Sequence, residues 1–204
     1  MVELELTSQA PFEKFPVTAA AGRGVIAVDR DGMGIAAVLA RKGRMAALTQ
    51  RIRERFDIEL PLGCRRAEAF DIAFAAIGPE TWLATHKHGG NAFSAALKDT
   101  IGDLACVADQ SDGYAVLGLT GPRLRDMLAK LLPIDLHPKA FRPGDVASTI
   151  ASYIGVIVWR MSDAGDGAPV FEIAVPRSFT GSFWQELTGN AAEYGMVIES
   201  AVTC

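Results

Sequence analysis

Four short constellations in the chain carry residue types that could do chemistry. His86-Lys87-His88 sets two imidazoles on one side of an extended segment, the minimum for a metal. A zinc site takes three or four ligands, and His137 is remote in sequence, so a surface loop is the better reading. Asp109 and Ser111 stand where one strand gives way to the next, with Asp112-Gly113 as the turn. A nucleophilic serine needs a base and an oxyanion hole, and neither a Gly-x-Ser-x-Gly elbow nor a nearby histidine supplies them. Hydrogen bonds to turn backbone explain the pair without chemistry. Asp135-Leu136-His137-Pro138 could place an acid and a base in one cleft. It equally suits a turn in which Asp135 accepts backbone N–H bonds and Pro138 fixes the exit, and the turn is preferred. Gly22-Arg23-Gly24 and Gly32-Met33-Gly34 flank strands, whereas a dinucleotide loop needs its glycines between a strand and the helix that receives the pyrophosphate.

A fifth group concerns contact rather than catalysis. Pro176-Arg177-Ser178-Phe179 followed by Phe183-Trp184 reads as a helix capped by Ser178, with Phe179, Phe183 and Leu187 on its core face. Arg177 and Trp184 fall toward another face, and both types are enriched at interface hot spots. Residues 1–22 carry Pro11, Pro16 and small residues, which suits an extended arm. Leu4, Leu6, Phe12 and Phe15 on that arm must lie on its own body or on a neighbouring subunit. Arg177, Trp184, Phe12 and Phe15 are therefore the candidate subunit-contact residues.

The elements that must position these groups alternate between strand and helix periods. Residues 25–28 and 35–40 read as a hairpin with Asp31-Gly32 as its turn. Residues 44–56 follow as a helix with Met45, Leu48, Ile52 and Phe56 on one face. Residues 70–77 and 81–85 are strands about Gly78-Pro79, Asn91 caps a helix carrying Phe93, Leu97 and Ile101, and residues 104–108 are a strand. From Ile35 the order is β-α-β-β-α-β, the split βαβ arrangement of ferredoxin-like modules.

The second half repeats that order. Residues 114–119 form a strand, Gly121-Pro122 opens a helix with Leu124, Met127, Leu128 and Leu131 on its apolar face, and Pro133 ends it. Residues 146–160 make two strands with a break near Gly155; a strand over 170–175, the helix after Ser178 and a strand over 196–202 complete the set. Ala37-Val38-Leu39 and Gly43 match Ala115-Val116-Leu117 and Gly121 at one common offset. The expected fold is α+β with an arm over 1–22 and two ferredoxin-like halves, 23–109 and 110–204.

Bulk properties narrow the partners. A 204-residue chain that is 50% hydrophobic can bury a sizeable core, and a mean hydropathy of +0.20 leaves apolar surface for other protein to cover. Net charge of −4 gives no reason to expect nucleic acid, and the basic run Arg41-Lys42-Gly43-Arg44 with Arg51, Arg53 and Arg55 is broken by Glu54, Asp57 and Glu59. Cys64, Cys106 and Cys204 have no disulfide or metal spacing. Reduced thiols, an acidic start and no apolar run of membrane-spanning length lead to the expectation of a cytoplasmic protein off the membrane.

Several motifs together resemble the gamma subunit of heterotetrameric sarcosine oxidase, a distant relative of the folate-binding aminomethyltransferase (glycine-cleavage T-protein) fold. They are Gly78-Pro79-Glu80-Thr81-Trp82-Leu83-Ala84, Asp109-Gln110-Ser111, Gly121-Pro122-Arg123, Asp135-Leu136-His137-Pro138, Phe141-Arg142-Pro143-Gly144, Pro176-Arg177-Ser178-Phe179 and Ser182-Phe183-Trp184. The resemblance implies a flavin-dependent complex that demethylates sarcosine to glycine and passes the one-carbon unit to tetrahydrofolate. It implies alpha, beta and delta subunits as partners, with FAD, FMN, NAD, zinc and tetrahydrofolate held by them. This chain would bind no cofactor or metal, have no catalytic residue, and serve assembly and stability. A stand-alone folate-binding aminomethyltransferase-like protein is the runner-up, and a homologous small subunit of N-methylglutamate dehydrogenase a further alternative. The parent fold is expected to place an acidic pair on the strand after a Gly-Gly turn. Here that stretch reads Ser152-Tyr153-Ile154-Gly155-Val156-Ile157-Val158 and holds no carboxylate, which counts against folate chemistry by this chain.

Overall fold

Alternate residues of the strand Tyr114–Thr120 belong to different cores: Ala115, Leu117 and Leu119 pack under helices, whereas Val116 faces a second sheet. Period-2 alternation with both faces buried requires layers on either side. In a computed structural model, which describes residues 10–13, 15 and 22–199, those layers are helix, sheet, sheet, helix. In chain order the elements are β1 (Val25–Asp29), β2 (Gly34–Ala40), α1 (Met45–Phe56), β3 (Arg66–Ala69), β4 (Ile72–Gly78), β5 (Thr81–His86), α2 (Ala92–Ile101), β6 (Ala105–Asp109) and β7 (Tyr114–Thr120). They continue with α3 (Leu124–Leu131), β8 (Val146–Ala151), β9 (Ile154–Arg160), β10 (Phe171–Pro176), α4 (Thr180–Ala191) and β11 (Met196–Glu199).

The first sheet runs β3-β4-β5-β2-β6 and the second β11-β1-β7-β10-β9-β8. Setting β3 aside, the first sheet has the strand order of a split βαβ module; the second has it with β1 inserted beside β7 and β8 added at the edge. The repeated Ala-Val-Leu triplets sit on β2 and β7, which occupy the same place in each module. Gly43 and Gly121 follow those strands at positive φ, just before α1 and α3. The fold is thus α+β with two related halves.

The expected hairpin of residues 25–28 with 35–40 does not form. β1 pairs with β7 and in parallel with β11, in the second sheet. Both edges of β2 are taken by β5 and β6, so no edge remains for β1, whose Val25 and Ala27 are buried in the other core. A short strand over 66–69 was not expected from Arg-Ala-Glu-Ala; it forms the edge beside β4, with Arg66 over the Trp159 ring at 5.9 Å. The break in 146–160 falls at Ser152-Tyr153, with Ser152 at φ 53°, rather than near Gly155, which lies within β9. Asn91 stands at the N-cap position of α2, but its side chain makes no capping hydrogen bond.

Three cores hold the layers together. Leu117, Ile173 and Val158 pack with Leu128, Phe183 and Leu187 under α3 and α4. Val38, Phe74 and Trp82 pack with Leu48, Ile52 and Leu97 under α1 and α2. Between the sheets lie Ile35, Ala75, Leu83, Val116, Ile157, Trp159 and Ala174. Each fully buried large aliphatic or aromatic contributes about 1.5–3 kcal/mol.

Two motifs with no chemical reading are explained by this packing. Trp82 of the Gly78–Ala84 stretch is buried and donates its indole N–H to Pro61 O at 2.8 Å. Phe141 stacks on Phe171 with centroids 6.1 Å apart, and the following Gly144, at φ 85°, bridges the halves through Arg66 N to Gly144 O at 2.7 Å and Gly144 N to Arg160 O at 2.8 Å.

Candidate functional site

The corner between β6 and β7 brings Asp109 and Ser111 onto the start of β2. Ile35 N donates to Ser111 Oγ at 3.1 Å, Ser111 Oγ donates to Asp109 Oδ1 at 2.8 Å, and Ser111 N donates to the same oxygen at 2.9 Å. The Ser111 backbone N–H holds the Asp109 carboxyl below its ordinary range. A hydroxyl already spent on a carboxylate, with no histidine bonded to it among the described residues, is a structural knot rather than a nucleophile.

His137 is equally committed. Its backbone N–H donates to Asp135 Oδ1 at 2.8 Å and its Nδ1 accepts from Lys139 N at 3.2 Å, while Ala140 N and Phe141 N bond His137 O. Asp135 and His137 therefore shape an exposed turn leading into Phe141. His137→Ala is expected to change folding stability by no more than about 1 kcal/mol, the worth of one exposed hydrogen bond, with binding and assembly properties intact. Urea denaturation of the two proteins measures it. His86 Nδ1 accepts from His88 N at 3.2 Å and its ring lies 5.5 Å from Phe93, so this pair also builds a turn. Among the described residues no group of three His, Cys, Asp or Glu is placed to hold a metal, and Cys64 and Cys106 are free and exposed. Cys204 lies outside the described residues.

The contact candidates come together in one place. Trp184 on α4 is 4% exposed, and Phe12 and Phe15 lie over it with centroids 5.8 and 6.0 Å away. Phe12 N donates to Asp29 Oδ2 at 3.2 Å, so the last residue of β1 grips the arm. Arg177 N bonds Gly113 O at 2.9 Å, and its guanidinium acts on the same Asp29. Leu4 and Leu6 lie outside the described residues. Ser178 does not cap α4: residues Arg177–Phe179 form a 3-10 turn, α4 begins at Thr180, and Thr180 Oγ1 donates to Arg177 O at 3.0 Å. Phe179 lies in that turn, outside the helical phase, and is 50% exposed instead of buried.

Asp29 gives this seam a pH dependence. Burial raises its carboxyl from 3.8 to about 6, against the opposing pull of the Phe12 N–H, with Asp31 adding to the rise and Arg177 reducing it. Its Oδ1 is buried with no hydrogen-bond partner among the described residues. A raised folded-state pKa means the folded chain holds the proton more tightly than the unfolded one. The stabilisation is complete below about pH 4 and lost as pH rises through about 6. Asp29→Asn, which keeps the acceptor for Phe12 N, is expected to flatten the melting temperature between pH 4 and 6.5 and raise it by roughly 2–4 °C at pH 7.5. An unchanged slope in a pH series of thermal melts would contradict the assignment.

Sequence reasoning missed the buried ionic group around Glu172, as it did the buried Arg160, which donates to Val170 O at 2.8 Å and pairs with Asp163. Glu172 on β10 points between the sheets, where Arg30 Nε donates to its Oε1 at 2.9 Å and Trp159 Nε1 to its Oε2 at 2.8 Å. A Cβ on Gly118 would stand 3.0 Å from Arg30 Nε, so this glycine leaves room for the guanidinium. The visible signal was Glu172 inside Phe-Glu-Ile-Ala-Val: a carboxylate in a buried strand needs a partner. Both its oxygens are occupied, so Glu172 ties β9, β10 and the segment leaving β1 within the second sheet and is not presented to a ligand. A separate groove of about 320 Å³ lies between the end of α1 and the β3–β4 turn, lined by Glu54, Asp57, Asp71 and His86 among others. Phe70, at φ 55° and 87% exposed, stands at its rim.

Two split βαβ modules packed sheet to sheet, joined at the Asp109–Ser111 corner and each leaving its first strand through a positive-φ glycine, define the class as an aminomethyltransferase-type α+β fold. The chain belongs to the GCVT N-terminal domain family, whose model matches residues 70–200. Among curated proteins it is similar to sarcosine oxidase subunit gamma from Arthrobacter sp (32% identical over 87 residues) and from Corynebacterium sp. strain P-1 (36% over 88 residues). Each match covers 43% of this chain and 43% of the relative's length. Among solved structures, a chain of the heterotetrameric sarcosine oxidase from Corynebacterium sp. U-96, in complex with pyrrole 2-carboxylate, superposes with a TM-score of 0.77 at 23% identity, over 92% of this chain and 96% of that one. Aminomethyltransferase T of the glycine cleavage system from Bartonella henselae superposes with a TM-score of 0.60 at 16% identity, over 88% of this chain and 48% of that one. At these identities the superpositions show the fold.

Proposed function

We propose that this chain is a gamma-type, non-catalytic subunit of a sarcosine oxidase-type complex, with a role in assembly and stability. The observation that carries the reading is the superposition on nearly all of one chain of a heterotetrameric sarcosine oxidase, joined to the curated gamma-subunit similarity. The flavins, NAD, zinc and tetrahydrofolate of such a complex belong, in this reading, to the alpha, beta and delta subunits. Oxidative demethylation of sarcosine would then run on those chains, with the one-carbon unit leaving on tetrahydrofolate.

The chain's own residues support a scaffold role. Its Asp109–Ser111 and Asp135–His137 pairs are spent on turns, and Glu172 is locked to Arg30 and Trp159. β9 carries no carboxylate that could meet a folate nitrogen. Phe12 and Trp184 serve the contact region from beneath by seating the arm, while Arg177, Phe15 and Phe179 keep surface that another subunit can cover. Titrating the isolated chain with tetrahydrofolate tests the division of labour. No binding is expected at micromolar ligand, whereas saturable binding with one-carbon transfer would replace this reading by a stand-alone folate enzyme.

A further inference from the structure

Among the described residues β6 ends the first sheet and pairs with β2 alone. Arg41 N donates to Leu104 O and Gln110 N to Ile35 O, which makes the even-numbered residues of this strand the ones that bond β2. In an antiparallel pair the alternate residues point their peptide groups away, so Ala105, Val107 and Asp109 present N–H and C=O groups outward. Protected edges carry lysine, proline, a bulge or a covering element. Ala-Cys-Val-Ala-Asp has none of the first two, and its single charge, at the end, is turned onto Ser111. Two of the other three edges are defended: β3 carries Arg66 and Glu68 with Arg65 bridged to Asp145, and β11 ends in the Glu199 ion pair with Arg23. The third, β8, lacks lysine and proline as β6 does, but alternates Ser148 and Ile150 on one face instead of presenting an unbroken small apolar strip.

Beside this edge the two sheets part. Ile35, Ala37 and Leu39 share one face of β2; Ile35 is buried between the sheets, yet Leu39 is 50% exposed. Its cross-strand neighbour Cys106 is exposed, as is Ala108 opposite Ala37. The strip Leu39, Cys106, Ala37, Ala108 bears no charge, and α2 covers the opposite face of the strand through Ala105 and Val107.

We propose that β6 is a strand-addition site for an extended polypeptide segment from another subunit of the assembly, a step that rests on the subunit reading above. A lipid or small apolar ligand could cover the strip but would leave the peptide edge unsatisfied. An extended segment satisfies both, with main-chain bonds to Ala105, Val107 and Asp109 and every second side chain, small and apolar, laid on Leu39 and Cys106.

Hydrogen exchange tests this on the tagged chain purified alone and with its co-expressed oxidase subunits. The amides of Val107 and Asp109 are expected to exchange at least roughly tenfold more slowly in the complex than in the free chain. Val107→Pro deletes one outward N–H and no bond to β2. Because Val107 also packs against the core under α2, the reference is Val107→Ala: the proline variant is expected to match its melting temperature within a few degrees and to lower recovery of the complex roughly tenfold below it, the worth of one interface hydrogen bond. Leu39→Glu, on the exposed strip, is a second route to the same loss. A complex that forms with these amides still fast, or with both variants fully recovered, overturns strand addition and leaves the subunit reading standing. A chain that never captures an oxidase subunit overturns both. Concentration-dependent protection in the free chain, with a dimer by ultracentrifugation, assigns the edge to a second copy and overturns the proposed occupant.

Discussion

Trp184→Ala is expected to lower folding stability by about 3–5 kcal/mol, the cost of truncating a buried aromatic. The indole sits on α4 within the core that includes Phe183, Leu187 and Leu128, and it is also the floor on which the arm rests. Phe12 packs on it at 5.8 Å with a tilted ring and Phe15 at 6.0 Å in a stacked geometry, so both aromatics lose their support together. The backbone hydrogen bond of Phe12 to Asp29 is left to hold a ring whose floor is gone. The expected result is a large drop in the urea midpoint accompanied by faster proteolysis at the arm. Trp184→Phe should recover much of the loss because it refills most of the volume. A drop below about 1 kcal/mol for the alanine variant would contradict the packing described.

Gly121→Ala should be nearly as damaging, for a different reason. Gly121 adopts φ 125°, and a Cβ there would meet Gly24 O at 2.4 Å and Val25 Cα at 3.1 Å, both main-chain atoms of the segment leading into β1. That backbone cannot retreat, because Arg123 N donates to Gly24 O at 3.0 Å and Gly24 N to Tyr194 O at 3.2 Å. Unfavourable φ costs on the order of 1–3 kcal/mol and forced overpacking a similar amount, so a fall of roughly 10 °C in melting temperature is expected. Gly155→Ala is the control: no atom lies within 4 Å of its Cβ position, φ is not positive, and a change within about 0.5 kcal/mol is expected. Comparable melts for the two variants would show that the Gly-Pro corner is not set by close approach of β1. The glycine that the motif Gly121-Pro122-Arg123 places after β7 thus has a steric role.

Helix faces were legible because their signal is local. Leu48 and Ile52 on α1, and Leu124, Met127, Leu128 and Leu131 on α3, are buried as their spacing requires. The matched triplets on β2 and β7 and the two helix-opening glycines revealed the repeat for the same reason. What escaped depends on distant partners. The destination of β1 is decided by β2 having both edges filled, a fact no window around residues 25–40 contains. Phe179 was assigned to the core by its distance from Phe183, but a 3-10 turn ahead of α4 changes its phase. Gly155 invited a break, yet the turn uses Ser152 at positive φ, whose hydroxyl is fixed by Glu186 Oε2 at 2.6 Å and whose N–H is fixed by Leu131 O at 3.1 Å.

The candidate pairs were legible as turns: Asp135 accepts from the backbone two residues on, as its spacing indicated, and Ser111 stitches a corner. The grip of Asp29 on Phe12 and the Arg30–Glu172–Trp159 group were not, since each joins segments far apart in sequence. Chemistry-bearing residue types in this chain are thus largely absorbed by the scaffold. The surfaces left over include the arm seam around Arg177, the groove beside Phe70 and the open edge of β6.

The proposed function places this chain inside a flavin-containing amine oxidase rather than alone. Its most direct test is to purify the tagged chain from its native host and record subunit composition and visible absorbance together. The expected result is stoichiometric recovery with larger subunits, a flavin spectrum, and sarcosine oxidation by the preparation. A colourless chain recovered by itself, with no amine-oxidising subunit at any salt concentration tried, would contradict it.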